Sequence, residues 1–388
     1  TTTFPSGVAR GSSFDPELER KIGETVSRQE AAVGITQILA PVLDISRDSR
    51  LGRQCEPYGE DPTLASAMGA AYTRGIQQTV TAGRTPDAAA KHFFGFHNSS
   101  GGIHGTHVDA GDRLLLEIYG KPFQAAITEA GLKCVMPCYN VLDGEPVSCS
   151  EAILNDLLRE EMGFEGTCIS DYGAISNAHS VQHVGETLEQ AAQLSMEAGM
   201  DVELPSVAGF GEALKRRFET GEAEIAVLDR AVLRVLTAKF RMGLFEHPFA
   251  LESEALRSAF QDGTEKAVSL QSARESLVLL KNDGVLPLKK DICSVALIGP
   301  SSNAQRLGSY ASVPYGYAVP SVYDELRTML PDVEIIQEDG CGISPTDCRT
   351  IPAEWLPGGV RMRFYGDGSF DEVKLSELLP RGFGAGSM

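Results

Sequence analysis

Helical and strand-like segments alternate through the first half of this 388-residue chain, and that alternation restricts the fold more than any other feature. Asp15-Pro16 opens an amphipathic pattern, and residues 35–43 then form a dense apolar run typical of a buried strand. Helices are also predicted after Asp61-Pro62, over residues 112–130, after Ser150 and over residues 188–198, with strands over residues 88–94 and 133–137 and in the run ending at Asp171. Because helices joining successive parallel strands produce this order, the sequence predicts an α/β fold with a (β/α)8-type, TIM-like barrel.

Composition excludes several classes of function. The chain has 53 acidic and 34 basic residues, a net charge of −19, which repels phosphate backbones and anionic membrane surfaces. No apolar run approaches the roughly 20 residues that span a bilayer. We therefore expect neither nucleic acid nor membrane as a partner, whereas the scattered cysteines leave the cellular compartment open.

Asp171 directly follows the apolar run that ends at Ser170, so its carboxylate is presented where a strand ends. In α/β barrels that edge of the sheet carries the catalytic groups. An aspartate at this point is also a common N-cap of the next helix, and local context alone favours the cap. Other residues are needed to decide between these two interpretations.

Short motifs elsewhere supply that information. They are Arg50-Leu51-Gly52-Arg53, Tyr58-Gly59-Glu60-Asp61-Pro62, Lys91-His92-Phe93, Met136-Pro137-Cys138-Tyr139-Asn140 and Ile169-Ser170-Asp171-Tyr172. In this order they resemble family 3 of the glycoside hydrolases, and the resemblance runs from residue 4 to about residue 310. That family cleaves β-glycosides with retention. The resemblance therefore implies a retaining exo-acting β-glycoside hydrolase, with β-glucosidase as the favoured activity and a β-linked oligosaccharide or glycoside as substrate.

The resemblance also assigns roles to particular residues. It implies that Asp171 is the nucleophile and that Tyr139 lies beside it, where a phenol can donate a hydrogen bond to the carboxylate. Lys91 and His92 are implied to hold the sugar, since adjacent side chains at an irregular strand end can both reach its hydroxyls. Arg53 suits vicinal hydroxyls or a structural carboxylate, and the match favours sugar. Arg47 and Arg50 are instead expected to be structural partners of Asp44, Asp48 or Glu60. Tyr172 stands where many members have tryptophan, which predicts an aromatic platform with altered aglycone preference.

Two groups of the family have no counterpart in these residues. The resemblance places the family's substrate-gripping aspartate before Phe4 and its acid/base glutamate beyond residue 388. We therefore expect that the chain alone lacks the acid/base and that an N-terminal part of the barrel is absent. Glu203 follows another strand end and could substitute as the acid, although the matching family segment is structural.

The predicted domain order has four parts. Residues 1–250 form the TIM-like barrel, 251–288 a helical linker and 289–349 part of an α/β sandwich domain. In that last part a strand is predicted over residues 294–298, a helix over 322–330 and another strand over 333–336. Residues 350–388 are the start of an all-β insertion or a disordered tail. They faintly resemble the protective-antigen-type module that some family members insert here.

Other functions remain open at this point. A noncatalytic carbohydrate-binding pseudoenzyme or inactive fragment would explain the missing groups, and an unrelated lyase or aldolase would use Lys91 as a Schiff base. No cofactor is expected, and no metal, because His97, His104 and His107 lack the spacing of a ligand set. A homo-oligomer is compatible with the sequence.

Overall fold

The computed structural model describes residues 2–260, 263–289, 291–304, 307, 310–311, 319–342, 361–366 and 369–374. The chain divides into two compact units. The first comprises Thr1–Asn282 with Leu307–Ser312, and the second comprises Asp283–Arg306 with Val313–Met388. The first unit carries the candidate site.

The first unit alternates helices with short strands. Its strands are β1 (Gln37–Ile38), β2 (Asp87–Phe93), β3 (His107–Val108), β4 (Cys134–Pro137), β5 (Val141–Leu142), β6 (Glu145–Pro146) and β7 (Thr167–Cys168). Its α-helices are α1 (Gly7–Gly11), α2 (Pro16–Ala32), α3 (Pro62–Gln77), α4 (Asp112–Leu114), α5 (Lys121–Ala130), α6 (Ala174–Ser180), α7 (Leu188–Ala198), α8 (Glu212–Thr220), α9 (Ile225–Arg241), α10 (Ser253–Ala259) and α11 (Thr264–Glu275). Leu115–Gly120 and Ala152–Glu161 are π-helical, and short 3₁₀ turns occupy Ser49–Leu51, Phe96–Asn98, Ser100–Gly102 and Val147–Cys149.

The main sheet is parallel, with strand order β1-β2-β4-β7. A parallel bridge between Ile169 and Val202 continues it beyond β7. Because all these strands run the same way, their carboxyl ends meet at one edge. The parallel α/β alternation predicted from the sequence is confirmed.

Local signals explain where the first long helices begin. Asp15 caps α2 by accepting hydrogen bonds from the backbone N–H groups of Glu17 and Leu18, and Asp61 caps α3 in the same way. In each helix a proline occupies the first turn, where no intrahelical donor is needed. These helices pack against one another, and α5 packs on α3, outside a core of small strand residues such as Ala88, Ala89 and Ala90.

The second unit contains a parallel pair, β8 (Ser294–Ile298) with β9 (Glu334–Glu338), and helix α12 (Val322–Met329). Ser321 and Asp324 form a reciprocal capping box at the start of α12. Strands β10 (Arg361–Gly366) and β11 (Ser369–Lys374) form an antiparallel hairpin. The four domain boundaries given above stay predictions. No helix in the described part of the chain combines the length and apolar character needed to cross a bilayer.

Candidate active site

A cavity of about 530 Å³ lies at the carboxyl ends of the main sheet. Leu39 and Val42 follow β1, Met136 belongs to β4, and each contributes to its wall. The polar and aromatic residues of the lining include Arg53, Glu56, Lys91, His92, Asp171, Tyr172 and Tyr310. The predicted residues Arg53, Lys91, His92, Asp171 and Tyr172 therefore line one hollow.

Asp171 follows β7 and is 8% exposed. Its Oδ1 accepts a hydrogen bond of 2.7 Å from the backbone N–H of Tyr172. Helix α6 starts three residues later, with Gly173 as its N-cap and no side-chain cap, so the interpretation of Asp171 as a helix cap is wrong.

The second carboxylate oxygen of Asp171 accepts no hydrogen bond from the described residues. Among the described residues Oδ2 is buried without a hydrogen bond, and it lies 3.6 Å from Nε2 of His92. Leaving a buried charged acceptor unsatisfied costs about 1–3 kcal/mol or more, and such groups are concentrated where function requires them.

Lys91 and His92 lie at the irregular end of β2. The pairing of β2 with β4 changes register between Lys91 and Phe93, and such an irregularity re-aims side chains. Both line the cavity, as the irregular strand end predicts. Burial lowers the pKa of the Lys91 ammonium, although the charge of Asp171 acts in the opposite direction. The ammonium lies 5.7 Å from the ring centre of Tyr310.

His92 is held by Asp44, a residue that the sequence did not identify as part of the site. Asp44 Oδ2 lies 2.7 Å from Nδ1 of His92, and Asp44 Oδ1 accepts a hydrogen bond of 3.2 Å from the backbone N–H of His92. Burial raises the pKa of Asp44 to about 6 and lowers the pKa of His92 to about 3. The sequence could have identified Asp44, because this residue follows an apolar run just as Asp171 does.

Asp44, Asp48 and Glu60 were the expected structural partners of Arg47 and Arg50. In the structure Arg50 pairs with Asp48, and Arg47 donates to the backbone carbonyl of Glu60.

Arg53 is fixed by a carboxylate. Its Nε and Nη2 donate to the two oxygens of Glu56, each at 2.7 Å, and Nη2 also lies 3.2 Å from Nε2 of His92. The guanidinium stacks 5.0 Å from the ring centre of Phe96. Burial disfavours the Glu56 carboxylate, but the hydrogen bonds with Arg53 and the nearby charges of Arg53 and Lys91 together outweigh that effect and lower the pKa of Glu56. A sugar contact of Arg53 therefore stays a prediction beside this structural role.

Tyr139 and Tyr172 are linked to each other. The Tyr139 hydroxyl donates a hydrogen bond of 2.9 Å to the backbone carbonyl of Tyr172, and its side chain also interacts with the Asp171 carboxylate. Burial raises the pKa of the Tyr139 phenol, and the nearby Asp171 charge raises it further. Tyr172 is 55% exposed at the cavity wall, where its role as a platform stays a prediction.

Tyr310 is a further aromatic residue that the sequence did not identify. It is distant in the chain from the other lining residues, and no motif marks it. Its exposed ring reaches the cavity as part of the short segment that belongs to the first unit.

Glu203 and His104 are both held by contacts with neighbouring protein groups. Both oxygens of Glu203 accept backbone N–H groups, from Ala208, Gly209 and Phe210, which agrees with a structural role and not with an acid. The His104 ring packs between Phe96 and Tyr139. Within the described residues no cluster of three or more potential metal ligands occurs.

Comparison with known families and relatives adds independent information. The family model described as the glycosyl hydrolase family 3 N terminal domain matches residues 1–238. A beta-xylosidase of Formosa agariphila is 35% identical over 88% of this chain and 50% of its own length. A periplasmic beta-glucosidase of Salmonella typhimurium is 32% identical over 88% of this chain and 44% of its own. The chain thus spans about half the length of the curated relatives it matches.

Solved structures agree with these relatives. A β-glucosidase from Erythrobacter marinus superposes with a TM-score of 0.83 at 31% identity, over 89% of this chain and 46% of that one. A β-glucosidase from Listeria innocua in complex with glucose gives 0.80 at 33%, over 89% and 48%. The predicted fold class, a TIM-like barrel followed by part of an α/β sandwich, is confirmed.

Proposed function

The chain belongs to glycosyl hydrolase family 3, and from that premise we propose that it serves a retaining, exo-acting β-glycoside hydrolase whose preferred substrates are β-glucosides. The nucleophile of the proposed reaction is Asp171. One observation carries this assignment: a buried carboxylate oxygen of Asp171, without a partner among the described residues, belongs to a residue lining a sugar-sized cavity.

The proposed chemistry takes two displacements. An Asp171 oxygen forms a bond to the anomeric carbon while the bond to the leaving oxygen breaks, and the leaving group departs with the bonding electron pair and takes up a proton. Water then attacks the anomeric carbon of the glycosyl ester, loses a proton and restores the carboxylate. Because each displacement inverts the anomeric centre, the product retains the β configuration.

Cationic and aromatic groups around Asp171 suit a neutral sugar with several hydroxyls. Lys91 supplies rotatable donors close to the carboxylate, while Tyr172 and Tyr310 offer ring faces. These contacts are the proposed means of binding the glycone, and no cofactor takes part in the reaction.

The proposal assigns the proton donor to no described residue. Of the described residues that line the cavity, Glu56 is the other carboxylate, and its pairing with Arg53 keeps it ionised. An ionised carboxylate that already accepts two hydrogen bonds is a poor general acid. Experiments on the nucleophile should therefore use a leaving group that departs without protonation.

A mechanism-based inactivator meets that requirement. We expect a dinitrophenyl β-glucoside with fluorine beside the anomeric carbon to release dinitrophenolate once per chain and to leave a fluoroglucosyl ester on Asp171, located by peptide mass spectrometry. Asp171→Asn should not be labelled, whereas Asp143→Asn, an exposed turn residue with φ of 47° that asparagine tolerates, should be labelled normally.

Other outcomes separate the rival functions. Reversible sugar binding without labelling would favour a noncatalytic binding protein, and label on another residue would refute the role of Asp171. A borohydride-trapped adduct on Lys91 would indicate Schiff-base chemistry instead.

A β-xylosidase is the second candidate, favoured by the 35% identity to the Formosa agariphila protein of that name. Inactivation by the fluorinated glucoside and by the matching xyloside should be compared. Faster inactivation by the glucoside supports the first proposal. Faster inactivation by the xyloside would instead make xylose the preferred glycone.

A further inference from the structure

Asp44 is a buried carboxylate that grips His92 at two points, one on the ring and one on the backbone. We propose that Asp44 is a positioning residue that holds His92 in the tautomer with its proton on Nδ1, so that Nε2 offers a lone pair to Arg53 and no proton to Asp171. This inference rests on the proposed hydrolase function only for its catalytic consequence.

The contact between Asp44 and His92 is rigid because backbone hydrogen bonds of the neighbouring residues fix both of them. The N–H of Leu43 donates to the Lys91 carbonyl at 2.7 Å, and Val42 forms a parallel bridge with Lys91. The residues next to Asp44 and His92 are thus joined across the sheet. With 4% of Asp44 and 1% of His92 exposed, water does not compete for their hydrogen bonds.

The tautomer follows from which groups can donate. An ionised carboxylate only accepts hydrogen bonds, and a guanidinium only donates them. His92 Nδ1 faces Asp44 at 2.7 Å, and His92 Nε2 faces the Arg53 Nη2 group at 3.2 Å. A neutral ring satisfies both neighbours only with its proton on Nδ1.

The alternative proton position would affect the nucleophile. An N–H on Nε2 would oppose the N–H of Arg53 and would face Oδ2 of Asp171, 3.6 Å away and without another partner among the described residues. A hydrogen bond there would occupy the electron pair of Asp171 that attacks the sugar. It would also remove the interaction between Arg53 Nη2 and His92 Nε2. Asp44 thereby acts on two site residues through His92.

Asp44→Asn tests this role with little change in shape. An amide has a single accepting oxygen and cannot accept from both the backbone N–H and Nδ1–H of His92 through separate oxygens. We expect ¹⁵N spectra of the ring, assigned with a His92→Gln spectrum, to place the proton on Nδ1 in the wild type and to lose that state in Asp44→Asn.

The kinetic arm uses the fluorinated dinitrophenyl glucoside. The limiting rate constant of inactivation should fall about tenfold or more in Asp44→Asn, as expected for losing a hydrogen bond to a charged group, with a smaller change in the half-saturating concentration. Asp48→Asn is the matched control, because Asp48 is an ion-paired carboxylate outside the cavity and should give wild-type rates.

The outcomes are separable from those of the proposed function. Failure of the wild type to react would refute the hydrolase, yet the ¹⁵N spectra would still decide the tautomer. A proton on Nε2 in the wild type overturns the inference whether or not the variant folds. Equal inactivation rates for wild type and folded Asp44→Asn, with Asp171 labelled in both, would also overturn it.

Discussion

The Asp44–His92 pair gives the site a proton-dependent element near neutral pH. Burial raises the pKa of Asp44 to about 6, so the pair takes up a proton as the pH falls through that value. If the proton stays on Asp44, the Asp44 carboxyl donates to Nδ1 of His92 and the ring proton lies on Nε2. If the proton moves to the ring, both ring nitrogens carry a proton. In either case Nε2 of His92 gains an N–H that faces Asp171. The charged or titratable groups around the pair are Arg53, Glu56, Lys91, His97 and Asp171.

A pH profile checks this consequence. Inactivation by the fluorinated glucoside should slow below about pH 6 and reach a plateau above it, because the deprotonated pair is the state that leaves Asp171 unoccupied. In Asp44→Asn the step at that pH should be missing. A wild-type rate that is constant across pH 6, measured where circular dichroism shows the fold intact, would contradict the assignment.

Sequence reasoning identified side chains by motif and strand end but not the groups that hold them. Lys91, His92 and Asp171 were assigned to one site because their motifs resemble those of the family, and each follows or ends a predicted strand. Asp44 also follows a strand, but it was interpreted as one of three candidate partners of nearby arginines, since the sequence does not reveal a partner 48 residues away. The Tyr139 hydroxyl likewise has a carbonyl partner, which depends on side-chain direction and not on the motif.

At the scale of elements, helix α1 positions the loop that carries Arg53 and Glu56. Its glycines Gly7 and Gly11 lie directly on that loop: a Cβ at Gly7 would lie 1.9 Å from the Glu56 carbonyl oxygen, and one at Gly11 would lie 2.2 Å from the Tyr58 carbonyl oxygen. Neither contact can be relieved by a flexible side chain. The helix and the loop therefore fit only without these methyl groups.

We expect Gly7→Ala to lower the free energy of unfolding by about 1–3 kcal/mol, the usual cost of overpacking, and to weaken sugar binding because Glu56 moves with Arg53. Denaturant titration and calorimetric titration with the glycone measure the two effects. Val8→Ala, on the exposed side of the same helix, should change stability by about 0.5 kcal/mol or less. Unchanged stability and affinity in Gly7→Ala would show that α1 does not position the loop.

Element boundaries were predictable where local chemistry sets them. The Asp-Pro pairs mark the starts of α2 and α3, and Ser294–Ile298 is a strand as predicted. Residues 35–43 were predicted as one strand, but only Gln37–Ile38 pairs regularly, followed by an isolated bridge at Val42. Pro41 cannot donate to a ladder, and it interrupts the pairing between these points.

At the scale of the whole molecule, the alternation of elements predicted the barrel class but not the course of the chain between units. Leu307–Ser312 belongs to the first unit although the residues on both sides of it belong to the second. Hydrophobic periodicity reports which face of a segment is buried, not which distant segment covers it. Tyr310 could therefore not be assigned to the cavity from the sequence.

The two units should differ in local stability, because their sheets differ in burial. Every residue of β2 except Lys91 is buried, and β2 has strands on both sides. Strands β8 and β9 form a two-stranded sheet in which exposed residues alternate with half-buried ones. A two-stranded sheet is marginal in water without further burial, so its hydrogen bonds open more often than those of a buried central strand.

Hydrogen–deuterium exchange read by mass spectrometry should therefore show amides of β8 and β9 exchanging well before those of β2 and β4. Equal protection of both sheets at the same pH and temperature would mean that β8 and β9 are covered by contacts beyond those of the described residues.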